Sequence, residues 1–296
     1  MRRLIINADD FGFTAGINRA IVEAHNHGVL TSSTLMANGQ AFADAVRLAG
    51  TVPQLSVGCH VVLIDGQPLL DSKAVSSLLD RSTGNGRFRN GIGGFALRAL
   101  AGSFDPREIE AEVTAQIRKL QAAGIRVSHL DTHKHTHLFP SVLPPLLRAG
   151  AACGVRAVRN PFGPRCPLRS GQLLARPGLW SRYAEMRVLQ GFAGRFRRAV
   201  KEEGFATPDG TVGVEVTGVL DETLFRAIVT AIPEGTWEFV CHPGYNDAEL
   251  QAAKTRLRES RETELRALNL PDARTTLSQA GIALISYRDL VPDSAR

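Results

Sequence analysis

The stretch 129–137 holds the densest group of side chains that could do chemistry, and it reads His-Leu-Asp-Thr-His-Lys-His-Thr-His. The apolar residues before it predict a β-strand, in which alternate side chains share one face. Five ionisable side chains would then point the same way: His129, Asp131, His133, His135 and His137. Neutral imidazole is the commonest metal ligand, and carboxylates complete ligand sets that suit Zn, Mn, Fe or Mg. The pattern favours a metal or catalytic site over its alternative, a polar strand end with solvated histidines.

Other polar residues also stand where apolar runs end. Asp9 and Asp10 follow the first run, and His60 lies near the end of the third. His242 follows a later run and precedes Pro243. In parallel α/β proteins, sites form at the C-terminal ends of the strands. We therefore expect these residues to meet. The alternatives are an acid pair that caps the next helix and a histidine in an ordinary turn.

These residues could support metal-assisted hydrolysis of an amide or ester. Asp10, His60 and His133 would give a metal three protein ligands and leave positions open for water and substrate, as catalytic sites do. Asp9 could then accept a proton from the attacking water. His242 could protonate the leaving group.

The elements that must position these residues alternate along the chain. Predicted strands lie at 4–8, 31–36, 55–62, 129–137, 157–159, 212–216, 236–241 and 282–286. Predicted helices lie at 16–27, 41–49, 106–123, 141–152, 222–231 and 248–268. This alternation predicts a parallel β/α architecture. The polar, glycine-rich tract 64–102 is long enough to be a functional lid.

Length and composition exclude several classes of protein. The 296 residues fit one α/β barrel, and the hydrophobic share of 44% is ample for a core. We find no apolar run long enough for a membrane span and no secretory signal, so we expect a cytoplasmic protein. The four cysteines lack the paired spacing of zinc fingers, and we expect them to be small buried hydrophobes.

Positive charge is concentrated in the tract 156–201. The chain has 35 Lys and Arg against 29 Asp and Glu, and this tract alone has eleven basic residues against the single acid Glu185. Apolar residues recur there with helical spacing: Trp180, Tyr183, Met186, Leu189, Phe192, Phe196 and Val200. Such a basic amphipathic helix can lie on an anionic membrane, although the stripe could equally pack on the barrel. The tract has no recognisable nucleic-acid motif, so we expect no nucleic-acid partner.

Four motifs resemble those of the YdjC/ChbG-type carbohydrate deacetylases along essentially the whole chain. They read Asn-Ala-Asp-Asp-Phe-Gly at 7–12, Gly-Cys-His-Val-Val-Leu at 58–63, the histidine stretch at 129–137, and Cys-His-Pro-Gly at 241–244. The resemblance implies a distorted β/α (TIM-like) barrel that removes an acetyl group from an N-acetylated amino sugar. It implies Asp10, His60 and His133 as ligands of one divalent metal, Asp9 as base and His242 as acid.

Further segments at 62–68, 86–89, 156–161 and 284–287 resemble the hopanoid-associated branch, HpnK. That resemblance implies an N-acetylglucosaminyl hopanoid lipid as substrate; a chitooligosaccharide such as diacetylchitobiose is the alternative. We assign Arg159, His135 and His137 to substrate binding. The family resemblance implies magnesium, whereas two imidazoles and a carboxylate also suit zinc, manganese or cobalt.

We therefore expect a single domain over 1–296, with a lid insertion at about 64–105 and a basic insertion at about 161–206. Peripheral contact with the inner face of the membrane and a homo-oligomeric state are further expectations. A metal-dependent phosphoesterase, a glycosidase and a metal-binding protein are the rival functions. Glu215, at a predicted strand end, matches no motif.

Overall fold

The fold is given by a computed structural model that describes residues 1–164 and 179–291. The side chains of residues 181–183, 185 and 186 lie outside the described part, so the predicted positions of Tyr183 and Met186 on the apolar stripe do too. None of the helices in the described ranges is long and apolar enough to cross a membrane.

Strands of the described residues form one curled, parallel sheet. They are β1 (Arg2–Phe11), β2 (Ser32–Leu35), β3 (Ser56–Val61), β4 (Leu130–Thr132), β5 (Gly210–Val212), β6 (Gly235–Cys241) and β7 (Ile282–Ile285). Their order is β4-β3-β2-β1-β6-β5, and β7 pairs with β1. β1 therefore lies in the middle of the sheet, and its residues from Leu4 to Phe11 are buried.

Helices lie between the strands, as the alternation predicted. They are α1 (Ala15–Asn26), α2 (Phe42–Ala49), α3 (Ile92–Leu100), α4 (Pro106–Ala122), α5 (Leu143–Ala152), α6 (Trp180–Leu189), α7 (Ala193–Glu202), α8 (Glu222–Thr230), α9 (Ala248–Ala252), α10 (Glu259–Leu268) and α11 (Ala273–Gln279). Their starts follow ordinary capping chemistry: the side chains of Thr14, Asp105 and Asp221 accept hydrogen bonds from the first turns of α1, α4 and α8.

The predicted α/β architecture is confirmed, with a curled parallel sheet. Beyond β4, isolated parallel bridges join Leu130 to Val158 and Ala157 to Ala206, so strand pairing continues towards β5. A fully closed TIM-like barrel stays a prediction.

The strand predicted over 129–137 is wrong beyond Thr132. A 3₁₀ turn, His133–Leu138, follows β4, and it contains Lys134 at φ 56° and His135 at φ 52°. Left-handed backbone at two successive residues reverses the chain and ends the strand alternation. His135 and His137 therefore do not continue the face set by Asp131.

Two other regions differ from prediction. The helix predicted over 248–268 is interrupted between α9 and α10, where the buried side chain of Leu257 packs against Gly218. The tract at 64–102 contains α3, and Glu112 of α4 accepts backbone hydrogen bonds from Leu69 and Leu70 at 2.9 and 3.1 Å. The insertion is thus anchored to the body of the protein.

The described part of the basic segment 156–201 contains the helices α6 and α7, which are separated by a 3₁₀ turn at Gln190–Phe192. Phe196 and Val200 of α7 are buried in the core, whereas Trp180 and Val188 of α6 are 50% and 76% exposed. The predicted single stripe is therefore divided. Its C-terminal part packs on the body of the protein, and α6 leaves large apolar side chains exposed.

Candidate active site

A β-bulge brings two adjacent carboxylates to one side of β1. Neighbouring residues of a regular strand face opposite ways, but the pairing of β1 with β2 shifts register between Ala8 and Phe11. Asp10 lies in this shift with a φ of 69°. Bulges re-aim side chains beside active sites, and a left-handed aspartate is a strained conformation that such sites retain.

Asp10, His60 and His133 bring three ligand atoms together. Asp10 Oδ1 lies 3.5 Å from His60 Nε2 and 3.5 Å from His133 Nδ1, and the two nitrogens are 3.3 Å apart. Metal bonds of about 2.0–2.2 Å at tetrahedral angles separate ligand atoms by about 3.3–3.6 Å. The three residues therefore fit a divalent metal ion. The His133 side chain is 24% exposed, so the group is open on that side.

The carboxylate of Asp131 is hydrogen-bonded to His60 at Nδ1, the ring nitrogen that does not face Asp10 and His133. Asp131 Oδ1 lies 2.8 Å from His60 Nδ1, and the Thr34 hydroxyl lies 3.1 Å from the same nitrogen. Burial lowers the pKa of His60, but Asp131 and the nearby Asp9 and Asp10 outweigh burial and raise the pKa to about 9. The surroundings thus favour positive charge at His60, which a proton or a metal can supply. Carboxylate–histidine–metal triads orient ligands in the same way.

Arg159 joins three carboxylates under the site. Its fully buried guanidinium donates two bonds to Asp9, at 2.9 and 2.7 Å, and further bonds to Glu238 at 2.7–3.0 Å. Nη1 also lies 2.5 Å from Asp131 Oδ2. Asp9, His60 and Asp131 form a second possible metal group, but Arg159 already supplies a cation to both of its carboxylates. The first group is the better metal site, because Asp10 Oδ1 faces the two histidines without an arginine on it, whereas Arg159 occupies both oxygens of Asp9.

Asp9 and His242 flank the proposed ligands. Asp9 Oδ2 lies 3.9 Å from His242 Nε2, too far for a direct hydrogen bond. Burial raises the pKa of Asp9, but Arg159 and the neighbouring histidines outweigh burial and hold this pKa well below its usual range. Burial lowers the pKa of His242 to about 4. At neutral pH the carboxylate is therefore ionised and the imidazole is neutral.

Two further sequence-predicted histidines occupy the turn after β4. His137 is fully buried; its Nδ1 lies 2.7 Å from the Thr132 hydroxyl and its Nε2 lies 3.1 Å from the Arg159 carbonyl oxygen. His135 is partly buried, and its Nδ1 has no hydrogen-bond partner among the described residues. His135 is therefore better placed than His137 or Arg159 to meet a ligand.

Three further polar residues singled out by the sequence or by their contacts, His129, Tyr287 and Glu215, are buried. His129 stacks on Tyr287 with ring centroids 3.5 Å apart. The Tyr287 hydroxyl donates to Glu238 at 2.6 Å, and Glu238 in turn binds Arg159. Glu215 is buried in the short 3₁₀ turn after β5, where burial raises its pKa.

Sequence reasoning missed two residues of α10 that reach the site. Arg261 Nη2 donates to Asp10 Oδ2 at 2.5 Å. Glu264 Oε2 accepts from the His242 backbone N–H at 2.6 Å, and burial raises the pKa of Glu264 to about 7. Their spacing of three residues places both on one helix face. That spacing is the sequence pattern that could have indicated the pair, but the many other charged residues of this helix obscure it.

Comparison with known proteins identifies the family of this chain. A family model described as YdjC-like protein matches residues 3–279. A carbohydrate deacetylase of Brevibacillus brevis is 33% identical over 290 residues, covering 97% of this chain and 99% of the relative. A carbohydrate deacetylase of Geobacillus stearothermophilus is 31% identical over 296 residues, covering 97% and 98%.

A crystal structure from Enterococcus faecalis V583, of a protein provisionally assigned to cellobiose-phosphate cleavage, has the same fold. Its TM-score is 0.75 at 24% identity, covering 98% of this chain and 99% of the other. Together, the family model and two relatives above 30% identity over nearly their whole lengths show that this chain belongs to the YdjC-like family of carbohydrate deacetylases.

Proposed function

We propose that this protein is a metal-dependent deacetylase that hydrolyses the N-acetyl group of an amino sugar. The observation that carries the proposal is the triangle of Asp10 Oδ1, His60 Nε2 and His133 Nδ1, with edges of 3.3–3.5 Å. A divalent metal bound by these atoms would polarise the amide carbonyl and lower the pKa of a bound water. The two imidazoles favour zinc, manganese or cobalt; the family resemblance favours magnesium.

The neighbouring residues provide a path for one proton. Asp9, ionised at neutral pH, would accept a proton from the attacking water at Oδ2. His242 Nε2 lies 3.9 Å away and must approach by about 1 Å to make a hydrogen bond; it would then receive that proton and deliver it to the departing amine nitrogen. The low pKa of His242 supports this order, because a neutral ring must gain a proton before it can act as an acid. The products would be the free amine and acetic acid, which loses its remaining proton at neutral pH to give acetate.

Buried partners would hold both groups in place. Arg159 binds Asp9 through two parallel hydrogen bonds, which fix the carboxylate plane. Glu264 accepts from the backbone of His242 and fixes the loop after β6. We propose Arg159 as a positioning residue, and His135 as the residue at the mouth that contacts the sugar.

For the substrate we propose an N-acetylglucosaminyl lipid of the hopanoid type. The support is the position of the basic segment: the Phe196 ring of α7 lies 6.2 Å from the His137 ring, and the Phe192 ring lies 6.5 Å from that of Phe139. α7 and the 3₁₀ turn before it therefore pack on the chain at His137 and Phe139. The exposed Trp180 and Val188 of α6 could then cover an apolar substrate body.

The experiment is to measure acetate released by the metal-loaded protein from two substrates, an N-acetylglucosaminyl lipid and diacetylchitobiose. Acetate from the lipid supports the proposed substrate, and acetate from the sugar alone assigns the enzyme to chitooligosaccharides. Release from neither, in a protein that binds the metal, would reject these two substrates. Chelator-treated protein and His60→Ala serve as matched controls for metal dependence.

A further inference from the structure

The two oxygens of the Asp10 carboxylate have different surroundings. Oδ1 faces the two histidine nitrogens, each 3.5 Å away. Oδ2 accepts a hydrogen bond from Arg261 Nη2 at 2.5 Å. Arg261 is 1% exposed, and its Nε donates to the Leu257 carbonyl oxygen at 3.1 Å. Two of its three nitrogens are thus bonded, whereas the buried Nη1 has no hydrogen-bond partner among the described residues, and the two bonds orient the guanidinium toward Asp10.

A buried cation next to a metal ligand has an electrostatic cost. Arg261 and a divalent metal would share one carboxylate, and like charges in a buried site repel each other. Electrostatic attraction of the metal therefore cannot account for this contact. Its remaining effect is geometric: a charge-assisted hydrogen bond occupies Oδ2 and sets the rotation of the carboxylate.

The loop that carries His242 leaves space for the Arg261 side chain to reach Asp10. A Cβ added to Gly244 would lie 2.9 Å from Arg261 Cδ, so glycine at this position lets the arginine stem pass. The Gly244 N–H also donates to the Arg261 carbonyl oxygen at 3.3 Å. The break between α9 and α10 sets where this helix begins, at Glu259, two residues before Arg261 on the chain.

We infer that Arg261 is a positioning residue that makes Asp10 a one-oxygen metal ligand by occupying its second oxygen. Carboxylates can bind metals through one or both oxygens, and the hydrogen bond to Oδ2 leaves Oδ1 for the metal. This inference rests on the proposed metal site. It concerns a residue 251 positions from Asp10 that belongs to none of the four motifs.

The test is calorimetric titration of Zn²⁺, Mn²⁺ and Mg²⁺ into chelator-stripped protein carrying Arg261→Lys or Arg261→Met. Lysine keeps the charge but presents a compact ammonium in place of the planar guanidinium. We expect both variants to bind the metals about 10–100-fold more weakly, the usual effect of losing a group that orients a ligand. Arg266→Met, an exposed arginine on the same helix, should bind as wild type does.

The two variants separate positioning from charge balance. If Arg261 only balances charge, Arg261→Lys should bind normally and Arg261→Met more tightly, and either result would overturn the inference. Arg261→Lys carries the test if loss of the buried charge prevents Arg261→Met from folding, as melting in excess chelator would show. His60→Ala is the reference: normal binding there would reject the metal site itself, whereas loss there with normal Arg261→Lys rejects only the role of Arg261.

Discussion

Arg159 and Asp9 are joined by two hydrogen bonds, Nη1 to Oδ2 at 2.9 Å and Nη2 to Oδ1 at 2.7 Å, although 150 residues separate them. The pair lies directly under the proposed metal site, and the arginine also binds Glu238 and Asp131. Arg159 therefore determines where Asp9, the proposed base, lies relative to Asp131, the carboxylate that is hydrogen-bonded to His60. Buried networks of this kind act as a unit.

Arg159→Lys should lower kcat about 100-fold, because a single ammonium cannot hold the Asp9 carboxylate plane and small misplacements of catalytic groups have effects of this size. Steady-state kinetics at saturating metal would measure the loss. Arg156→Lys, an exposed arginine three residues earlier, should retain normal turnover. Equal kcat in the two variants would contradict a positioning role.

Asp9→Asn should retain metal binding and lose turnover by about 10²–10⁴-fold, the usual contribution of a general base. The amide is nearly isosteric, but it cannot accept the proton of the attacking water. Calorimetry with the metal and acetate release on the same preparation would separate the two effects. Near-normal activity would move the role of base to Asp10 or to a histidine.

Replacing His60 or His133 with alanine should abolish both metal binding and activity while the fold survives. His135→Ala is the matched comparison for His133→Ala, because both residues belong to the same 3₁₀ turn. We expect His135→Ala to keep the metal and to raise KM. Metal content by elemental analysis and thermal melting would check these expectations. Normal stoichiometry in both His60→Ala and His133→Ala would remove these residues from the ligand set.

The sequence was sufficient to predict the residues at strand ends. Asp9, Asp10, His60 and His242 each follow a buried apolar run, and a parallel sheet must bring such positions to one edge. The architecture followed from the same alternation. Local pattern therefore predicts both the order of the elements and the edge of the sheet at which these residues meet.

Backbone reversals and distant partners could not be predicted in this way. Lys134 and His135 adopt left-handed backbone without the glycine or asparagine that usually signals it. From the sequence we assigned Arg159 to substrate binding, because its sequence neighbours do not show that three carboxylates converge on it. Arg261 and Glu264 lie among many charges on their helix, and their contacts with Asp10 and the His242 loop arise only from the tertiary fold.

The exposed part of the basic segment should bind anionic vesicles at low salt. Trp180 and Val188 are exposed on α6, and Arg195, Arg197 and Arg198 are exposed on α7. A Trp180→Ser, Val188→Ser double variant should lose binding in co-sedimentation, whereas Val219→Ser, exposed elsewhere, should not. Phe192 is unsuitable for this test because it packs against the core. Absence of wild-type binding at low salt would contradict the membrane role.

Burial of His137 should make the protein less stable as the pH falls. Burial first, and Arg159 second, lower the pKa of His137 to about 3 in the folded protein, whereas an unfolded histidine has a pKa of about 6.5. Between these values the unfolded chain binds a proton that the folded chain does not, so the free energy of unfolding decreases towards acid by up to about 1.4 kcal/mol per pH unit.

His137→Gln should remove this contribution and flatten the plot of unfolding free energy against pH, even though the variant is less stable at neutral pH. Denaturant unfolding in excess chelator, at pH values from about 4 to 7.5, would measure the slopes. His27→Gln, the same substitution at an exposed position, is the matched control for the effect of the substitution itself. If the curves for His137→Gln and wild type run parallel over this range, His137 is not held neutral in the folded protein.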